Sequence, residues 1–174
     1  MIKILGIKIT DRIKEAGMTQ KILTRHSSAV ITRLGFHEVT DEVCSREAYI
    51  ILHLDGEKVE SETLRSELEA IGGLELREAR FNGEPETHAG NPADGTAEIM
   101  CLLVERDTEN VSKVQKILTS YGCNIRTRLG VNESFFGQPA GLLILELKGD
   151  VRQRGLLENA VRAVSRVHVR TMFF

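Results

Sequence analysis

Apolar residues along the chain alternate between two periods, and the sequence of periods occurs twice. An apolar-rich stretch, Ile2–Thr10, is followed by a weakly amphipathic one over Asp11–His26, where Ala16, Thr19, Ile22, Leu23 and His26 fall on one side. Ala29–Leu34 alternates with period two. Tyr49–Leu54 is apolar at nearly every position, as a strand buried on both faces would be. Ser61–Ile71 places Leu64, Leu68 and Ile71 on one helical stripe, with Ser61 as the expected N-cap. Leu74–Arg77 alternates again. The second series reads Glu98–Glu105, Thr108–Tyr121, Asn124–Leu129, Leu142–Leu147, a helix with Leu157, Val161 and Val164, and Val167–Arg170. In its first helix Val111, Val114, Ile117, Leu118 and Tyr121 share a face.

Residue identities support a duplication. Gln20–Thr24 recurs as Gln115–Thr119, Thr32–Gly35 as Thr127–Gly130, and Glu38 as Glu133, giving ten identities in nineteen positions at an offset of 95. Two residues then drop out of the second copy, and the match resumes at an offset of 93 through Phe81 and Phe174. Between the copies, Gly83–Thr96 is rich in Gly, Pro, Asn and acids with no apolar period, which predicts a flexible linker over 83–97. The predicted domains are therefore 1–82 and 98–174.

Each copy has the order βαββαβ, which specifies an α+β, ferredoxin-like unit: an antiparallel sheet with both helices on one face. If Val30, Thr32 and Leu34 face the helices, Ile31, Arg33, Arg126 and Arg128 face away. They would then join Ile51, His53, Ile144, Glu146, Glu75, Arg77, His168 and Arg170 on the uncovered side, a mixed surface suited to packing against another sheet.

Apolar residues at 41% and charged residues at 28% describe a globular chain. The apolar run Ile99–Val104 is too short to cross a membrane, and no basic flank leads into a secretory apolar segment; the expectation is a soluble, cytoplasmic protein. Residues 1–82 carry 12 basic and 14 acidic side chains, 83–97 three acids only, and 98–174 carry 11 and 8. The second half is mildly basic, far below the footprint of a nucleic-acid binder, and Tyr49 alone supplies an aromatic on the central strands where RNA-recognition sheets need several. Direct nucleic-acid binding is not expected. Cys44, Cys101 and Cys123 are odd in number and share no CxxC spacing, so they read as reduced thiols.

The run Ile117–Val131, the strand Gly141–Asp150 and the closing Val167–Met172 resemble the iron-only hydrogenase system regulators of the ACT-like superfamily. The family's Arg-x-Gly at the end of strand two stands here as Arg128-Leu129-Gly130, and in the first copy as Arg33-Leu34-Gly35. The last strand of the first copy, Leu74–Glu78, matches less closely. The resemblance implies the βαββαβ fold and a regulatory, non-enzymatic role. Family members typically have one such domain, so the tandem form departs from the pattern. A more distant likeness is to the ligand-binding domain of nickel-responsive regulators, which hold metal with closely spaced histidines on strand two and a cysteine. Here Arg33 and Gly35 stand where those ligands would fall, and a metal-sensing alternative rests on His37 and Cys44 alone. No DNA-binding segment is expected ahead of strand one.

The candidate effector-binding residues are Arg33, Gly35 and Glu38 with their counterparts Arg128, Gly130 and Glu133. An arginine at a strand end presents a fork of donors to a carboxylate or phosphate, and the adjacent glycine admits close backbone approach. The competing reading is a strand-ending turn with positive φ, the arginine pairing with Glu38 or Glu133. The loops Phe36–Ala48 and Val131–Gly141 diverge most between copies. Phe36, His37, Phe135 and Phe136 are candidate contacts with a partner or a neighbouring domain. The five histidines have no metal-ligand spacing, and no cofactor is expected. An acylphosphatase-like phosphate loop is missing after strand one, as are a catalytic triad, a P-loop and a GxGxxG, so no enzyme is expected. The sequence points to an effector or protein partner bound at a domain or subunit junction, in a homodimer of four domains, with a purely structural interaction module as the other reading.

Overall fold

The structure is a computed structural model and describes residues 1–37, 45–82 and 97–174. The chain divides into two compact units, Met1–Asn82 and Gly83–Phe174. Apart from Ala97, the linker expected over 83–97 lies outside the described residues. Ala97 exchanges backbone hydrogen bonds with Phe174.

Unit 1 runs β1 (Ile2–Ile9), α1 (Arg12–Arg25), a 3-10 turn at Ser27–Ala29, β2 (Val30–Phe36), β3 (Ala48–Asp55), α2 (Val59–Glu69) and β4 (Leu74–Phe81). Unit 2 repeats it with β5 (Glu98–Glu105), α3 (Thr108–Ser120), a turn at Gly122–Asn124, β6 (Ile125–Phe135), β7 (Gln138–Leu147), α4 (Val151–Arg162) and β8 (Val167–Phe173). Strand orders are β2-β3-β1-β4 and β6-β7-β5-β8, antiparallel throughout, so each unit has the expected α+β ferredoxin-like architecture. The apolar third strand is central, and the alternating second strand lies at an edge.

One apolar layer joins sheet to helices in each unit. In unit 1 it contains Leu5, Ile7 and Ile9 of β1, Ile50, Leu52 and Leu54 of β3, Ile22 and Leu23 of α1, and Leu64 and Leu68 of α2. In unit 2 the corresponding strand residues are Met100, Leu102 and Val104, with Val114, Leu118, Leu157 and Val161 from the helices. Asp11 and Asp107 cap the first helices by accepting from Ile13 N and Glu109 N. Asp150 caps α4 in the same way.

Three local expectations differ from the structure. Ser61 is not an N-cap: α2 begins at Val59, and the buried Ser61 hydroxyl donates to the Asp55 carbonyl at 2.6 Å, tying the helix to the strand before it. The segment expected as a loop over Val131–Gly141 is mostly hairpin, because β6 and β7 stay paired to Phe135 and Gln138. The third concerns the direction of Arg33 and Arg128. In β2 the register shifts between Val30 and Thr32, and in β6 between Ile125 and Thr127. Ile31 and Arg126 are thus the extra residues of two equivalent β-bulges, and everything after each bulge changes face. Arg33 lies opposite Leu52 and Arg128 opposite Leu145, both in the helix-facing layer; Leu34 and Leu129 turn to the other side with Ile51 and Ile144.

Two buried charges interrupt the helix-facing layer. Lys3 of β1 bonds to Glu62 of α2, and Glu98 of β5 accepts from Arg154 Nη1 of α4 at 2.7 Å. The hydrogen bond from Lys3, reinforced by the charges of Lys3, Arg80 and Arg65, holds the Glu62 carboxyl below its ordinary value near 4.5. Burial pushes Glu98 the other way, upward, against the pull of Arg154. A depressed carboxyl stabilises the folded state above its ordinary value, and that contribution is lost as pH falls through the folded value. A raised carboxyl contributes below its ordinary value and loses that contribution as pH rises through the folded one. Acidification below about 4.5 should therefore weaken unit 1 relative to unit 2. Hydrogen exchange across that range should show protection lost at Leu5 and Ile7 before Leu102; the reverse order would refute the assignment.

Candidate functional site

The bulge brings together two side chains thirteen residues apart. Arg33 Nη1 donates to Gln20 Oε1 at 2.7 Å, bridging β2 and α1. Arg128 Nη2 donates to Gln115 Oε1 at 3.0 Å, the same bridge in unit 2. Gln20 and Gln115 are the missed members of the site. They lie inside the repeated block, so the signal was present, but strict alternation had pointed the arginines away from the helices. Each guanidinium has five N–H donors and the bridge uses one, so a bound anion can be met without breaking it.

Around the bridge lies a groove between the first helix and the edge strand. In unit 1 it is bounded by Gln20, Leu23, Thr24, Ser27, Val30, Ile31, Thr32, Arg33 and Leu52, with a volume of about 380 Å³. Its walls are aliphatic, and its polar groups are three hydroxyls, an amide and a guanidinium. In unit 2 a cavity of about 160 Å³ meets the bridge at Gln115 only; it lies between α3 and the strands β5 and β7, bounded by Val104, Arg106, Val111, Val114, Gln115, Gly141 and Leu143. Arg106 reaches across to the Asn132 side-chain oxygen. The two cavities share the glutamine but lie on different sides of it, and the arginine of the bridge lines the first one.

Gly35 and Gly130 lie inside strands, not at strand-ending turns, and neither has positive φ. Both fall on the helix-facing side, opposite Ile50 and Leu143. A Cβ at Gly130 would stand 3.4 Å from Leu143 Cδ2 and one at Gly35 3.9 Å from the Tyr49 carbonyl, so a small side chain fits at either place and close backbone approach is not what these glycines provide.

The other candidates separate from this site. Glu133 follows Arg128 by five positions of unbroken alternation and lies on the opposite face. Glu38 and Cys44 lie outside the described residues. His37 is exposed just beyond β2. Phe36 stacks on Tyr49 with centroids 5.2 Å apart. Phe135 is buried against the ring of His168, whose Nε2 is 2.9 Å from Glu105 Oε1. His26 is buried between Glu60 and Glu67, a different carboxylate facing each ring nitrogen, and His53 is buried on the sheet. Among the described residues no three His, Cys, Asp or Glu side chains form a group that could hold a metal ion, and no helix is long and apolar enough to cross a membrane.

Phe136 and Gly137 form the two-residue tip of the β6–β7 hairpin, with φ of 48° and 75°. Positive φ at both positions fits a type I′ turn, for which Asn-Gly is the favoured pair. Phe136 is exposed there, in a conformation that costs a bulky side chain about 1–2 kcal/mol.

Neither a protein-family model nor a curated protein matches the sequence. Among solved structures, an uncharacterized protein from Thermotoga maritima is similar at 23% identity, over 45% of this chain and 95% of its own, with a TM-score of 0.40. The acetolactate synthase small subunit from Thermotoga maritima is similar at 8% identity, over 100% and 98%, with a TM-score of 0.38. The ligand-free regulatory subunit of aspartate kinase from Thermus thermophilus is similar at 18% identity, over 94% of this chain and 89% of its own, with a TM-score of 0.34.

Substituting Phe136→Asn should raise the stability of unit 2 by about 0.5–1 kcal/mol, the relief of the turn exceeding the loss of one exposed ring contact with Phe135. Chemical denaturation monitored on unit 2 checks this; a lower midpoint would show that the tip is held by its aromatic contact.

Proposed function

We propose that this chain is a non-enzymatic regulatory protein, and that each half binds a small anionic effector at the bridge between its first helix and edge strand. The observation that carries this reading is the duplicated Gln–Arg bridge, placed by a duplicated bulge and, in unit 1, lining a groove with both its side chains. A guanidinium held by one hydrogen bond, beside an apolar wall and hydroxyls, suits a small molecule with a carboxylate at one end and an apolar body. The resemblance of the sequence to iron-only hydrogenase system regulators supports a regulatory role over a catalytic one. Regulation then follows from differential affinity: an effector that favours one arrangement of α1 against β2 shifts the population toward it. Association of two chains, bringing four such domains together, is part of the same reading, and light scattering coupled to gel filtration reads it directly.

Calorimetric titration with a panel of amino acids and 2-oxo acids tests the site. Removing a hydrogen bond to a charged group costs about 1.5–3 kcal/mol, so Arg33→Ala or Arg128→Ala should weaken one binding event by roughly 10- to 150-fold. Lysine at the same position should restore little, because it lacks the planar fork. Effector binding untouched by both alanine variants would overturn the assignment.

A further inference from the structure

Lys3 and Glu98 hold the same place in the two halves. They are 95 residues apart, and each lies on its first strand opposite the last leucine of the third, Leu54 or Leu147. Each faces the helices and meets the fourth residue of the second helix, Glu62 in one unit and Arg154 in the other. The sign of the ion pair is reversed. Lys3, Glu98 and Arg154 are all at least nine-tenths buried. The helix partners also occupy non-equivalent places against the core: when Leu64 is matched with Leu157, the counterpart of Arg154 is Ser61 and that of Glu62 is Gly155.

We propose that the reversed pairs sort the two halves during folding, so that each sheet accepts only its own first strand. The need arises from the duplication itself. On the helix-facing side, Leu5, Ile7 and Ile9 correspond to Met100, Leu102 and Val104, apolar for apolar and all buried. Strand order and register are the same in both sheets. A β1 strand from one chain could therefore enter the second sheet of another with its aliphatic contacts satisfied, which is the route to domain swapping. The first position of that face is what discriminates. An exchanged β1 sets the buried Lys3 against Arg154 in place of Glu98, and an exchanged β5 sets the buried Glu98 against Glu62, whose remaining base, the part-exposed Arg80, stands 3.7 Å away. Burying a charge without its partner is strongly disfavoured, so the wrong pairing is rejected by repulsion and desolvation together.

A role in stability alone is separable from a role in sorting, because a buried ion pair replaced by well-packed apolar residues commonly keeps or gains stability. The first test replaces all four residues in the full chain: Lys3→Met, Glu62→Leu, Glu98→Met and Arg154→Leu. Its thermal midpoint should stay within a few degrees of wild type. After refolding from denaturant at high protein concentration, the fraction in oligomers that resist dilution should rise at least several-fold. A native yield equal to wild type would overturn the proposal. The second test exchanges only the strand charges, Lys3→Glu with Glu98→Lys, so that each first strand suits the opposite half. Dilution-resistant oligomers should dominate, and adding Glu62→Lys and Arg154→Glu should return the protein to wild-type behaviour. Equal oligomer formation by the two-site and four-site variants would refute sorting by charge.

Discussion

In each half both helices pack on the same side of one four-stranded sheet, and that side must be closed by the first and third strands. Leu5, Ile7 and Ile9, or Met100, Leu102 and Val104, lie beneath both helices and are buried. Full burial of an aliphatic side chain contributes roughly 1.5–3 kcal/mol, so these three positions with their partners on the third strand dominate the stability of a domain of this size. The constraint has two consequences. A charge in this layer needs a dedicated partner, which explains the pairing of Lys3 with Glu62 and of Glu98 with Arg154. The edge strand, at the margin of the helices, is where a polar group can stand against the apolar layer and still reach solvent.

The bulges at Ile31 and Arg126 use that margin. A single extra residue reverses the face of everything beyond it. Without it, Arg33 and Arg128 would point to the other side of the sheet and leave Gln20 and Gln115 on their helices with no cross-strand partner. The bridge therefore depends on three things at once: the helix position of the glutamine, the bulge, and the strand position of the arginine. All three recur at an offset of 95.

This coupling also marks what the sequence made legible. The duplication, the element order, the central third strand and the edge position of the second follow from periodicity, because burial on one face or two leaves a direct trace in residue type. The direction of Arg33 does not. Thr32–Gly35 alternates perfectly by itself, and nothing in Val30-Ile31-Thr32 announces an extra residue, since isoleucine suits either face of an edge strand. The β6–β7 tip was hidden for a related reason: Phe136 stands where the turn favours asparagine, so the turn chemistry read as a loop. Ser61 looked like a helix cap because its hydroxyl does bind backbone, although the carbonyl it meets belongs to the preceding strand turn.

The two halves also differ in a direction that bears on function. The Gln–Arg bridges are exposed, and a neutral-acceptor hydrogen bond in that setting adds about 1 kcal/mol or less to stability. The Glu98–Arg154 pair is buried on both sides, and breaking it would cost about 3–5 kcal/mol; in the other pair Lys3 is buried while Glu62 is half exposed. If folding stability governed which contacts the copies retained, the buried pairs would be the common feature and the bridges would have drifted. The opposite is found: the pairs at Lys3 and Glu98 have exchanged sign and helix register, while the weak bridge keeps the same residues, the same spacing and the same bulge. Its persistence needs a cause other than stability, and a guanidinium with unused donors, which in unit 1 lines an apolar groove, supplies one. The cavities beside the bridges lie in different places: Thr24, Ser27, Thr32 and Arg33 line one, while the other runs from Gln115 toward Arg106 and the strands β5 and β7. A shared anchor with its cavity on a different side in each half would suit two sites that grip the same chemical group on molecules of different shape.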